Sequence, residues 1–176
     1  MTSYKGNISD EVIDAKQKGK KILVILGYAP PENWFESYIS LQSSWSSQIK
    51  FLKEAIKLSE SLKNTFIIIR NKSFKCPIRS NPYFQDVVNE INKLENIILA
   101  NNYNESFYSY KLCANADLVI AKPTTLADEC LSAGIPVLFY EYTHNMKGIQ
   151  TKAYDYDPPG LRCYSIDEPV KKSKSI

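Results

Sequence analysis

The chain has 176 residues, 44% of them hydrophobic and 23% charged, and carries a formal net charge of +3. That length suits one domain with a substantial core and is short for two, the composition excludes a disordered chain, and so small and scattered a charge excludes a nucleic-acid-binding surface. No stretch approaches the roughly 20 apolar residues of a membrane-spanning helix, and the mixed-charge start MTSYKGNISDEVIDAKQKGK has no signal-like apolar centre. The expected location is the cytoplasm, with peripheral attachment at the inner face of the membrane left open.

In chain order, residues 1–20 read as an N-terminal extension. KKILVILGYAPP is a continuous apolar run closed by Gly27 and two prolines, the pattern of a strand buried on both faces. The loop 28–44 is long and aromatic for a strand-to-helix link. In SSQIKFLKEAIKLSESLKN, Ile49, Leu52, Ala55, Ile56 and Leu62 share one helical face. NTFIIIRNK is a second buried strand, and NPYFQDVVNEINKLEN is a helix capped by Asn81 with Pro82 in first position. NIILANN is a third strand, ESFYSYKLCANA a helix, DLVIAK a strand, TTLADECLSAG a helix and IPVLFYEY a strand. After the Pro158-Pro159-Gly160 breaker a short strand is expected near Arg162 to Ser165, and 166–176 is a frayed tail. Residues 1–176 thus form a single domain.

Such alternation predicts a doubly wound, mostly parallel, Rossmann-like α/β sheet of about six strands with helices on both faces. If the strands take the order 3-2-1-4-5-6, ligands bind where the order reverses, at the carboxyl ends of the first and fourth strands. The first strand ends at Gly27, and the fourth leads into Lys122-Pro123-Thr124. A helix starting at Thr124 or Thr125 offers unpaired N–H groups and a positive dipole end, both suited to phosphate. About one turn on, the Glu129 carboxylate can accept from the two hydroxyls of a ribose. The alternative for the same residues is structural: Thr125 and Asp128 have capping-box spacing, with Asp128 facing water.

The block ADLVIAKPTTLADECLSAGIPVLFY resembles the carboxyl-terminal, donor-binding domain of glycosyltransferases with the two-domain GT-B fold, a group that includes nucleotide-sugar 2-epimerases and CDP-glycerol glycerophosphotransferases. It is similar to bacterial surface-polysaccharide transferases in EYTHN, Glu141 to Asn145, and less specifically to teichoic-acid polymerases in YDYDPPG, Tyr154 to Gly160. The resemblance implies that Glu129 binds the donor ribose, and that Thr124, Thr125 and the backbone N–H of Leu126 lie near the donor phosphates. It implies a nucleotide-sugar donor substrate with no cofactor and no metal. It also implies a partner, since a GT-B enzyme has an acceptor-binding domain of similar size, for which 176 residues leave no room. The expectation is a donor-binding domain for cell-surface polysaccharide synthesis, inactive without an acceptor domain, with a non-catalytic nucleotide- or partner-binding module as the alternative.

Further candidates surround the same strand ends. Arg70, Lys72 and Lys122 could neutralise a diphosphate; for Arg70 and Lys72 the alternative is a solvated strand end. Gly27 could allow close approach to the first strand, although no G-x-G-x-x-G follows it. Tyr103 lies in the loop where the family holds the nucleobase, and ordinary packing is the alternative. His144, the only histidine, could touch the donor or simply occupy a turn. The catalytic residues are not assigned. Cys76, Cys113, Cys130 and Cys163 are widely spaced, without a C-x-x-C motif; three lie among apolar neighbours and are expected to be reduced core residues.

Overall fold

The computed structural model describes residues 10–27, 45–71, 78–100, 107–121, 124–140, 162–163 and 168. Six strands, β1 (Lys21–Gly27), β2 (Thr65–Asn71), β3 (Ile97–Leu99), β4 (Leu118–Ala121), β5 (Val137–Tyr140) and β6 (Arg162–Cys163), pair in the order β3-β2-β1-β4-β5-β6. Every pairing is parallel. The topology is the doubly wound one that the alternation of elements predicts, and the order reverses between β1 and β4.

Side chains of successive strand residues point to opposite faces, and β1 shows why its run is apolar throughout. Leu23 and Ile25 join one core, beneath α2 (Trp45–Ser61) and α3 (Gln85–Asn92). Ile22 and Val24 join the other, with α1 (Asp10–Gln17), α4 (Tyr108–Ala114) and α5 (Thr125–Ser132). In β2 the same split sends Ile67 and Ile69 to the first core and Phe66 and Ile68 to the second. Large residues such as Leu52, Ile67, Ile68 and Ile91 are completely buried. Truncating any of them to alanine removes transfer energy and leaves a cavity, at about 2–5 kcal/mol each.

The helix α1 lies within the stretch expected to be an extension. Its amphipathic signal is short, but Val12 and Ala15 are buried against the second core, and Gly19, at φ 71°, turns the chain into β1. The expected helix over 81–96 divides: Asn81 caps a 3-10 turn at Pro82–Phe84 through the Tyr83 N–H, and α3 follows it. The cap falls where the Asn-Pro signal puts it. Trp45 packs on Tyr83 and Phe84, with ring centroids 5.2 and 5.8 Å away, and so joins the starts of α2 and α3.

Asp117, just before β4, joins β4 to β1 at the amino edge. Its Oδ2 accepts from the Ile22 N–H at 2.7 Å, its own N–H donates to the Ile22 carbonyl at 2.8 Å, and Lys21 Nζ lies 3.7 Å from Oδ1. Asp117→Ala leaves that N–H without its charged acceptor and is expected to cost about 1–2 kcal/mol; a lowered urea midpoint at unchanged slope is the readout.

Candidate functional site

The reversal point puts the carboxyl ends of β1 and β4 side by side, with Leu26 opposite Ala121. Thr124, three residues beyond Ala121, caps α5, so the helix starts at the edge where the two strand ends meet. The residue that opens the helix is Thr124. Its backbone is extended, at φ −149° and ψ 152°, and its Oγ1 accepts from the Ala127 N–H at 3.2 Å. A hydroxyl that accepts one hydrogen bond still has its own proton to donate. Thr125 and Leu126 begin the helix, so their N–H groups have no carbonyl four residues back within it. The Leu126 side chain packs into the second core, which leaves only its backbone for the edge.

This register corrects the capping-box alternative. With Thr124 as the cap, the reciprocal position is held by Ala127, which has no side-chain acceptor, and Thr125 and Asp128 lie one residue too far along. Asp128 does not simply face water either. It is half-buried, and its Oδ1 is shielded from solvent without a hydrogen-bond partner. The helix N-terminus lies within a turn of it and favours the negative charge. Glu129, also half-buried, stands on the opposite flank of the core-facing stripe formed by Ala127 and Cys130.

The far end of α5 is closed by glycine. Gly134 has φ 75°, its N–H donates to Leu131 O at 3.0 Å, and the Ile135 N–H donates to Cys130 O at 2.9 Å. This paired pattern needs a left-handed residue just past the helix, which glycine adopts without a Cβ penalty. Pro136 O then accepts from the Val119 N–H at 2.9 Å, and β5 begins beside β4. Thr124→Ala is expected to cost about 1 kcal/mol while Thr124→Ser retains the cap, a difference readable by thermal denaturation.

On β2, Arg70 is not a solvated strand end. It is 9% exposed, its Nε donates to Ser109 Oγ at 3.0 Å, and its guanidinium carbon lies 5.6 Å from the centre of the Tyr108 ring. The pairing joins the carboxyl end of β2 to the first turn of α4, beneath Phe107, whose backbone is left-handed at φ 60°. Gly27 likewise has a packing role. Opposite Asn71 in the sheet, it leaves the room into which Asn71 Oδ1 and the Phe51 ring project. Asn71 was not among the sequence candidates, although a polar residue ending the run FIIIR is the signal that could have marked it. Nothing in the sequence singles out Phe107, Tyr108 or Ser109. Lys72, Tyr103, Lys122 and His144 lie outside the described residues, as do EYTHN and YDYDPPG. Among the described residues no cluster of three or more His, Cys, Asp or Glu side chains could hold a metal, and no helix is long and apolar enough to cross a membrane.

Solved structures share this fold. A UDP-N-acetylglucosamine 2-epimerase from Listeria monocytogenes, itself described as putative, superposes on 97% of the chain with a TM-score of 0.55 at 17% identity. The carboxyl-terminal domain of a group 1 glycosyl transferase, LpcC from Francisella tularensis, covers 99% with a TM-score of 0.56 at 11% identity. The wall teichoic acid polymerase TagF covers 94% with a TM-score of 0.55 at 13% identity. The chain has the fold of a GT-B carboxyl-terminal domain. It spans 40% of the epimerase chain and 38% of TagF, but 85% of the isolated LpcC domain. No protein-family model and no curated protein matches the sequence.

Proposed function

We propose that the chain is the nucleotide-sugar donor-binding domain of a glycosyltransferase that builds cell-surface polysaccharide, working with an acceptor-binding domain. The observation that carries this reading is the start of α5: a Thr124-capped helix opening at the β1/β4 reversal, with Glu129 about one turn on. In this reading the diphosphate lies against the N–H groups of Thr125 and Leu126 and the Thr124 hydroxyl, and Glu129 accepts from the ribose. Lys72 and Lys122, which follow the ends of β2 and β4 in sequence, supply positive charge. Tyr103 and His144 are further donor contacts, and Arg70 contributes by holding the first turn of α4. Donors fixed on the diphosphate stabilise the charge that builds on the leaving group as the sugar departs. No cofactor enters the reaction, because the activated sugar carries its own leaving group.

The test is thermal denaturation with UDP-, CMP- and GDP-linked sugars. A ligand at 100 times its Kd adds about 2.7 kcal/mol of stability, which raises the melting temperature of a chain this size by roughly 5–10 °C. One member of the panel is expected to give such a shift, and Glu129→Ala to remove most of it. An equal shift in the variant would remove the ribose role, and no shift with any nucleotide would remove the donor-binding reading. Binding without turnover in the presence of an acceptor domain would favour a non-catalytic module.

A further inference from the structure

Tyr83 is one of three large hydrophobic side chains that stand exposed among the described residues. Its ring is 49% exposed, yet it is firmly mounted. Pro82 before it has a fixed φ, the Tyr83 N–H donates to Asn81 Oδ1 at 2.9 Å, and the rings of Trp45 and Phe84 lie 5.2 and 5.4 Å from its own. Phe84 is completely buried, and Trp45 packs on the first core. An aromatic face fixed before a ligand arrives loses little freedom on binding.

The same turn carries an uncommitted cation. Arg79 is exposed, and its Nη2 donates to the carbonyl of Leu99, the last residue of β3, which holds the guanidinium at the carboxyl edge of the sheet. That carbonyl takes one of the N–H groups, so one of the two forks that fit a carboxylate stays open whichever Nη2 proton is used. Among the described residues no carboxylate lies within ion-pair distance of it. The neighbouring polar groups are neutral amides. Gln85 Nε2 donates to the Arg79 carbonyl at 2.8 Å, which leaves its Oε1, and Asn81, whose Oδ1 is taken by the cap, keeps its Nδ2.

We propose that the turn 79–85, with Trp45, is a subsite for a saccharide chain that bears carboxylates. The C–H face of a pyranose lies on the Tyr83 ring, its hydroxyls meet the amides of Asn81 and Gln85, and its carboxylate takes the open fork of Arg79. A nucleic-acid strand would also stack, but it needs cations along its backbone, and one arginine does not supply them. Because α3 follows β2 and α5 follows β4 in an all-parallel sheet, the subsite and the Thr124 cap lie on the same edge. Taking this saccharide to be the polymer on which the enzyme works rests on the donor-binding reading above; the subsite itself does not.

The experiment titrates the intact chain with oligogalacturonate by calorimetry at low and high salt, beside an uncharged malto-oligosaccharide of equal length and polyglutamate. The acidic saccharide is expected to bind at least about fivefold more tightly than either control, and to weaken as salt rises. In a Trp34→Phe background, where Trp45 is the one tryptophan left, the emission should change on binding. Tyr83→Leu keeps an apolar side chain against Trp45 without a flat face and should weaken binding at least about fivefold, whereas Tyr83→Phe should retain it. Arg79→Gln should erase the preference for the acidic chain and the salt dependence. The selectivity of the unaltered chain remains a test should a variant fail to fold. No heat of binding with oligogalacturonate, equal affinity for polyglutamate or the uncharged chain, or unchanged affinity in Tyr83→Leu would overturn the proposal. Saccharide binding without any nucleotide-induced thermal shift counts against the donor site and leaves the subsite standing; a nucleotide shift without saccharide binding does the reverse.

Discussion

Gly27→Ala is expected to lower stability by about 2–3 kcal/mol, with no ligand present. The position is not one that needs a left-handed backbone, since Gly27 is the last residue of β1 and pairs in register with Asn71. Its requirement is space. A Cβ there would collide with Asn71 Oδ1 and stand 3.0 Å from Phe51 Cε1 and 3.3 Å from Cζ. Asn71 is 2% exposed, as is Phe51, so neither can swing into solvent, and overpacking a closed site costs about 1–3 kcal/mol. The urea midpoint should fall while the denaturant slope stays constant. Adding Asn71→Ala should restore part of the loss, because the two residues occupy one volume and their effects cannot be additive. A Gly27→Ala protein of unchanged stability that failed to bind nucleotide would instead assign the glycine to ligand approach.

The second large effect is expected at Arg70. Arg70→Lys keeps the charge and loses both the Nε bond to Ser109 and the flat face that lies on Tyr108. A lysine ammonium on a flexible stem reproduces neither at a site this buried, so a loss of about 2–3 kcal/mol is expected, comparable to other broken charge-assisted bonds. Ser109→Ala should cost less, about 1 kcal/mol, because it removes only one partner. If Arg70→Lys left stability unchanged and abolished the nucleotide-induced thermal shift, Arg70 would belong to the phosphate site directly.

Much of the fold was legible because strands buried on both faces and amphipathic helices leave periodic traces. KILVILG and FIIIR announced β1 and β2, and the Asn81-Pro82 signal marked a cap that the structure contains. In the candidate site, the helix opening at Thr124 and the turn at Gly134 were legible for the same reason: caps draw on a few residue types at fixed spacing. Which of Thr124 and Thr125 caps the helix was not legible, since both hydroxyl oxygens can accept from a backbone N–H and only the backbone angles distinguish them. The roles of Asp128 and Arg70 were not legible, because burial of a charged group depends on what packs over it. The helix α1 escaped notice because eight residues with two buried positions are too few to stand out from a polar terminus.

By itself the sequence determined the succession of strands and helices and their inward faces, since hydrophobic period and turn chemistry are local properties. Tertiary structure alone decided that Gly27 exists to admit Asn71 and Phe51, that Arg70 turns inward onto α4, and that Asp117 ties β4 to β1. Each is a contact between segments distant in the chain, and such contacts leave no mark in the spacing of residues.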